Sequence, residues 1–173
     1  MHPALEIHRR LLERWRGAMD LVGPGPLQPH FDDAIAAVGA LGAIGAWADL
    51  GSGAGFPGVA LAALNPEARV VLVERRQKRA AFLETVLRET GLPATVHDEV
   101  ATLAPCTFDG VVSRAYKPPA EVLVDAERLL RPGGRVVLLL TNQDFDAAGW
   151  TVCHVKPYEI EGRPRRAVTL QRR

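Results

Sequence analysis

The run Gly51-Ser52-Gly53-Ala54-Gly55-Phe56-Pro57-Gly58 constrains this chain more than any other stretch. Glycines this dense weaken a helix or a strand, because glycine loses the most conformational freedom on folding. They suit a tight turn whose backbone must approach a ligand closely. Ahead of the turn lies a short apolar strand, Ala46-Trp47-Ala48-Asp49-Leu50. Behind it Val59-Ala60-Leu61-Ala62-Ala63-Leu64 reads as a helix, which Asn65-Pro66-Glu67 breaks. Arg69-Val70-Val71-Leu72-Val73-Glu74 then reads as a second strand ending in an acid. Such a βαβ unit suits an adenosine-containing cofactor. The helix N-terminus offers unpaired N–H groups, and the acid Glu74 reaches both ribose hydroxyls.

Register separates two cofactors. Gly53 to Gly58 matches the dinucleotide pattern G-x-G-x-x-G, with Glu74 near the expected spacing. The turn, however, begins where the strand ends, at Asp49-Leu50. In that register the pattern is Asp49-x-Gly51-x-Gly53-x-Gly55, that of S-adenosylmethionine (SAM) methyltransferases. A carboxylate at Asp49 repels a diphosphate and attracts a sulfonium and an ammonium. The turn is expected to bind SAM, with S-adenosylhomocysteine as product, rather than NAD. An NAD oxidoreductase would also need a Tyr-Lys or His-Asp arrangement that the sequence does not assemble.

At 173 residues the chain supports one domain with a sizeable core. A net charge of +1 confines any nucleic-acid binding to local patches. The two cysteines, Cys106 and Cys153, are too few for a disulfide framework or a zinc site. The five histidines lack metal-ligand spacing, so no metal is expected. No apolar run approaches a membrane span, and the N-terminus lacks a signal-peptide core, so with so few cysteines a cytoplasmic protein is expected. The sequence does not give the oligomeric state, and a monomer is favoured over an oligomer.

Taken in order, Pro3 to Met19 reads as a helix with Leu5, Ile7, Leu11, Leu12 and Trp15 on one face. Arg9, Arg10, Arg14 and Arg16 fill its other face. Gly23-Pro24-Gly25-Pro26 is a break, and a second helix spans Leu27 to Leu41. Residues 1–43 are thus expected as an N-terminal helical extension, with residues 44–173 as the cofactor domain. After Glu74, helices and strands alternate through a helix to Thr90, a strand at Ala94–His97, and a strand at Phe108–Arg114. A helix at Glu121–Leu130, a turn at Arg131-Pro132-Gly133-Gly134 and a strand at Arg135–Leu140 follow. Gly149–Val155 and Ala167–Gln171 read as a closing strand pair around a charged loop, Glu159–Arg166. This alternation predicts an α/β fold with a mainly parallel sheet. Taken with the SAM-type turn, the expected fold is Rossmann-like, class I SAM-dependent methyltransferase, seven-stranded with helices on both faces.

Asp49-Leu50-Gly51-Ser52-Gly53-Ala54-Gly55-Phe56-Pro57-Gly58 resembles the cofactor box of the bacterial ribosomal RNA guanine-N7 methyltransferases, the glucose-inhibited division protein B family. Glu74 with Lys78-Arg79-Ala80-Ala81-Phe82-Leu83 is similar to a second run of that family, and Ser113-Arg114-Ala115 to a third. Met19-Asp20-Leu21-Val22-Gly23 with His30 and Asp33 resembles a segment near its N-terminus. The resemblance implies that Gly51 and Phe56 touch SAM, and Asp49, Ser52, Gly53, Gly55, Glu74 and Arg114 are expected with them as cofactor-binding residues. It also implies that the backbone of Val100-Ala101 flanks the adenine and that Arg114 lines the methyl-transfer site. It implies ribosomal RNA or the small ribosomal subunit as partner. The chain departs from the family where Glu99-Val100-Ala101 replaces Arg-Ala-Glu, Thr141-Asn142 replaces Lys-Gly, and Pro29 replaces an arginine. These lost basic residues bear on the RNA, and they leave room for a small-molecule or protein substrate, or for a non-catalytic SAM- or RNA-binding module.

Guanine N7 presents an in-plane lone pair that needs no deprotonation, so alignment and charge placement suffice for transfer. Arg114 is the expected catalytic donor, to guanine O6 or to a phosphate, with a structural ion pair at the sheet edge as the alternative. Tyr116 is read equally as stacking on a base or as packing like an ordinary loop aromatic. The basic face of the first helix is read first as a solvated face; if it meets RNA, Arg10 and Arg14 are the contacts, since the helix precedes the cofactor turn and has the reach to overhang its mouth. Pro105-Cys106 precedes the fourth strand, the wrong end of such a sheet for a nucleophile.

Overall fold

A computed structural model describes residues 1–173. Seven strands form one sheet: β1 (Gly45–Leu50), β2 (Ala68–Val73), β3 (Ala94–His97), β4 (Phe108–Arg114), β5 (Leu130–Leu140), β6 (Trp150–Ile160) and β7 (Arg163–Arg172). Their order is β3-β2-β1-β4-β5-β7-β6. Strands β1 to β5 run parallel, and β7 pairs antiparallel with both β5 and β6. Strand order reverses between β1 and β4, and ligands of open α/β sheets bind beyond the strands' carboxyl ends at such a switch. The two segments leaving those ends begin at Gly51 and Ala115.

Alternation along each strand sends neighbouring side chains to opposite faces. Trp47, Val112, Val137 and Leu139 join a core under helices α1 (Pro3–Met19), α2 (Gln28–Val38), α3 (Gly58–Leu64) and α4 (Gln77–Thr90). Ala48, Val111, Val136 and Leu138 join the other, under α5 (Pro119–Leu129). Leu5, Leu12 and Phe31 of the first two helices are fully buried in the same cluster as Trp47. His2 caps α1 through Nδ1, which accepts from the Ala4 N–H at 3.2 Å.

Two segments differ from the sequence expectation. Arg131 to Gly134 is no separate turn but an excursion within β5. The pairing jumps from Phe108↔Leu130 to Gly110↔Arg135, with Gly133 at φ 80°. The charged stretch Glu159–Arg166 is no loop. It is the tip of a β6–β7 hairpin, turned at Glu161 (φ 49°) and Gly162 (φ 73°). Two consecutive positive φ values are what a twisted two-residue hairpin turn needs. Strand β5 stops pairing with β7 at Leu140↔Arg166. Beyond that point β6 and β7 continue as a two-stranded ribbon past the carboxyl edge of the sheet. Having no core, the ribbon lacks the apolar alternation that marks a strand in sequence.

Packing is tight where β4 crosses β1. A Cβ added at Gly110 would stand 2.5 Å from the Trp47 indole. Gly110→Ala is expected to cost about 1–3 kcal/mol through overpacking, read as a lowered Tm in thermal unfolding. An unchanged Tm would mean that Trp47 is free to move.

Candidate active site

The glycine turn is held from three sides. The Gly51 and Ser52 N–H groups both donate to the Val73 carbonyl, at 3.0 and 2.9 Å, which lays the turn across the end of β2. Gly53 N–H donates to Glu74 Oε2 at 3.0 Å, while Glu74 Oε1 accepts from Arg76 N–H at 2.7 Å. Glu74 therefore shapes the turn as well as facing the cavity beside it. Asp49 lies beneath with no solvent exposure, and its Oδ2 accepts from the Gly58 N–H at 2.9 Å. This bond ties β1 to the first residue of α3. Asp49 Oδ1 is buried without a partner. Burial pushes the Asp49 carboxyl up to about 6, against the pull of its hydrogen bonds.

From the opposite side the turn rests on His8, a residue the sequence reading did not single out. Its Nε2–H donates to the Ala54 carbonyl at 2.7 Å, and its ring packs against Gly55. Burial among Phe31, Phe56 and Phe82 lowers its pKa to about 4, so the imidazole is neutral. A lone histidine on an amphipathic helix gives no signal of this in sequence.

A cavity of about 720 Å³ opens beside the turn, within the roughly 300–1,000 Å³ usual for ligand sites. Gly51, Glu74, Val100 and Ala101 line it, as does Asp98, a carboxylate just past β3 that the sequence reading passed over. Tyr116, expected to meet the substrate base, lines this cavity instead. Its ring lies over Gly51, where a Cβ would come within 2.5 Å. The other expected cofactor residues stand behind this wall: Asp49, Ser52, Gly53 and Gly55 shape the turn. Phe56 points away from the cavity. It is buried against Phe31, edge-on at 4.9 Å, and stacked with His30 at 5.6 Å. An aromatic side chain facing three apolar helices gains more from their core than from a solvated cleft.

A second cavity, of about 650 Å³, lies across the Arg114–Lys117 segment. Ala115 and Lys117 line both cavities, so the carboxyl end of β4 forms the wall between them. Arg114 faces this second cavity rather than the first. Its Nη1 donates to Asp33 Oδ2 at 3.0 Å, and its guanidinium lies 5.0 Å over the Phe56 ring. Lys117, Arg163 and Arg165 add three more cations to the lining, beside His30, Thr141 and the carboxylate of Glu161. Burial and then Arg114 lower the His30 pKa, which keeps its imidazole neutral near pH 7. Arg10 and Arg14 line neither cavity, and Arg14 is stacked on Trp15 at 5.1 Å. Helical periodicity grouped these arginines on one face but did not say where that face looks. No helix is long and apolar enough to cross a membrane, and no group of His, Cys, Asp or Glu is arranged to hold a metal. Cys106 is exposed at the amino end of β4.

The residues beside the first cavity fit SAM. Glu74 presents a carboxylate fixed by two backbone donors, and behind the turn the orphaned Asp49 Oδ1 favours a nearby cation; the space at Gly51 is taken by the Tyr116 ring. Because burial raises the Asp49 pKa from 3.8 to about 6, the native state binds that proton more tightly than the unfolded chain. Its contribution to stability is full below pH 3.8 and is lost as pH rises through about 6. Asp49→Asn is expected to remove that part of the pH dependence of Tm. Cationic SAM favours the ionised carboxylate, so its affinity should weaken as pH falls below about 6 in the wild type and respond less in Asp49→Asn. Calorimetric titration across this range checks both, and parallel pH profiles would place Asp49 outside the cofactor's field.

Comparison with known proteins agrees with this geometry. The family described as rRNA small subunit methyltransferase G matches residues 1–159. The ribosomal RNA small subunit methyltransferase G of Rhodopseudomonas palustris is 37% identical over 83% of this chain and 69% of its own length. That of Caulobacter vibrioides is 38% identical over 79% of this chain and 66% of its own. Among solved structures, the Burkholderia thailandensis 1,6-didemethyltoxoflavin-N1-methyltransferase, crystallised with S-adenosylhomocysteine, superposes with a TM-score of 0.67 at 16% identity. The superposition covers 98% of this chain and 88% of the other. The Geobacter metallireducens precorrin-6y C5,15-methyltransferase gives 0.61 at 19% identity, covering 82% of this chain and 87% of its own. At such identities these structures speak for the fold, and the sequence relatives speak for the family. The chain belongs to the rRNA small subunit methyltransferase G family and is a SAM-dependent methyltransferase.

Proposed function

We propose that this protein methylates N7 of a guanine in small-subunit ribosomal RNA, in the cytoplasm. One observation carries the reading. The cavity suited to SAM and a cation-lined cavity meet at the carboxyl end of β4, with Ala115 and Lys117 common to both. Bound SAM supplies an electrophilic methyl group on its sulfonium.

The chain's own residues then have a small set of tasks. Guanine presents O6 and N7 side by side as acceptors, and Arg114 offers N–H donors beside the cavity. A donor on O6 fixes the ring in plane and leaves the N7 lone pair free. Asp33 is not available as a base, since its two oxygens accept from Arg114 and from the Tyr158 hydroxyl. N7 needs none, so orientation and charge placement carry the step. Arg163 and Arg165, on the ribbon that overhangs the second cavity, are set to take flanking phosphates.

Mass mapping of ribosomal RNA from cells with and without this gene tests the assignment. One small-subunit guanine should lose a methyl group, and an unchanged modification pattern overturns the reading in favour of a small-molecule or protein substrate. Arg163 and Arg165 give a separate prediction. Each phosphate contact contributes about 0.7–0.9 to the slope of log affinity against log salt. Replacing both by Glu should weaken RNA binding and flatten that slope by about one to two, with SAM affinity intact. Filter-binding titrations over a salt series read it, and an unchanged slope removes the ribbon from the RNA path.

A further inference from the structure

Arg114 is held by a chain of contacts drawn from distant parts of the sequence. Asp33, on α2, is buried, and its Oδ2 accepts from Arg114 Nη1 at 3.0 Å. Its other oxygen, Oδ1, accepts from the Tyr158 hydroxyl at 2.8 Å. Tyr158 stands on β6, where the hairpin leaves the sheet, and Lys156 precedes it on the same strand. Lys156 Nζ donates to the Ala36 carbonyl at 2.7 Å and fastens this stretch of β6 to α2. Burial, and then the Asp33 charge, push the Tyr158 pKa far above its usual range, so its hydroxyl remains a donor.

The geometry at Asp33 has a chemical consequence. An arginine and a carboxylate left to themselves favour a two-point fork, with two parallel N–H···O bonds. Here the contact runs from Nη1 to Oδ2 alone, while Oδ1 accepts from the Tyr158 hydroxyl. A one-point contact leaves the remaining guanidinium N–H groups without an acidic partner, while the Phe56 ring at 5.0 Å supports one face of the group. Those free donors lie beside the cavity that Arg114 lines.

We propose that Tyr158 is a positioning residue for methyl transfer: its hydroxyl holds Asp33 in a one-point contact that leaves Arg114 with free N–H groups for the substrate. This rests on the reading of Arg114 as the donor to the reacting base. Loss of the hydroxyl frees Oδ1, Asp33 closes the fork on Arg114, and a second N–H is withdrawn from the substrate. Tyr158 needs no contact with substrate or cofactor to have this effect.

Four variants test the idea on the intact chain, with a small-subunit ribosomal RNA fragment as substrate and SAM affinity measured by calorimetry. Tyr158→Phe removes one hydroxyl and keeps the ring that fills its site. It should lower kcat about tenfold, the worth of a hydrogen bond to a charged group, with SAM affinity and Tm close to wild type. Arg114→Lys removes the fork, so adding Tyr158→Phe to it should lower kcat little further. Additive losses in the double variant overturn the proposal, as does a Tyr158→Phe protein with wild-type kcat when Arg114→Ala is inactive. A fall in SAM affinity matching the fall in kcat also overturns it, since that marks a general structural role. Full turnover in Arg114→Ala is a different result: it removes the reading of Arg114 itself, and the role of Tyr158 with it.

Discussion

A single buried carboxylate organises the cofactor side of this molecule. Asp49 lies at the carboxyl end of β1 with no exposure to solvent and ties that strand to α3 through the Gly58 N–H. The short helix, the glycine turn and the strand are thereby fixed to one another. The arrangement leaves Oδ1 buried without a partner, which is costly unless the group keeps its proton or meets a cation. A turn shaped for close approach and a carboxylate short of a counter-charge are two aspects of one site. Each is unfavourable by itself, the turn through lost conformational freedom and the carboxylate through lost hydration. The Glu74 carboxylate adds a second anchor on the same turn, so the shape of the loop and the face it offers are set together.

The substrate side is organised differently. It has no short local motif at its centre but a meeting of α2, the end of β4 and the β6–β7 ribbon. Asp33 is separated in the chain from its two partners, Arg114 and Tyr158, by 81 and 125 residues. The three converge because β4 sits at the switch point and the ribbon projects beyond it. The sheet order therefore places the wall between the two cavities on the one strand whose end faces both. Transfer between a donor and an acceptor held in separate cavities needs such a shared boundary.

What could be read from sequence follows the same division. The glycine turn, its register with Asp49, and Glu74 at the end of the second strand are contiguous signals, and strand-turn-helix chemistry is local. Four of the five parallel strands are legible because buried strands are apolar runs, Val and Leu above all; β3, an Ala-Thr-Val-His edge strand, shows instead through the helix-and-turn alternation around it. The ribbon is not legible, since Glu159 to Arg166 gains strand geometry from pairing alone, without a buried face. Phe56 was read as a cofactor contact from its place in the box, whereas three helices absorb it into the core. His8 and Tyr158 were invisible for a common reason: each acts through one long-range hydrogen bond that no periodicity encodes. Arg10 and Arg14 share one face of α1, but that face lines neither cavity.

The ribbon links these observations. Tyr158 holds Asp33, Lys156 holds α2, and Arg163 and Arg165 face the second cavity from the neighbouring strand. Tyr158 pairs directly with Arg165 in the hairpin register. A force on the arginine side of the ribbon is therefore applied one strand away from the hydroxyl that sets Asp33. Two-stranded ribbons without a core of their own are held mainly by their backbone pairing and by whatever they dock against. Here the docking surface is α2, the helix that also carries Asp33 and His30. The segment that meets the substrate's charge and the segment that orients Arg114 are thus parts of one small, weakly supported element, and the position of that element sets how many of Arg114's donors remain free.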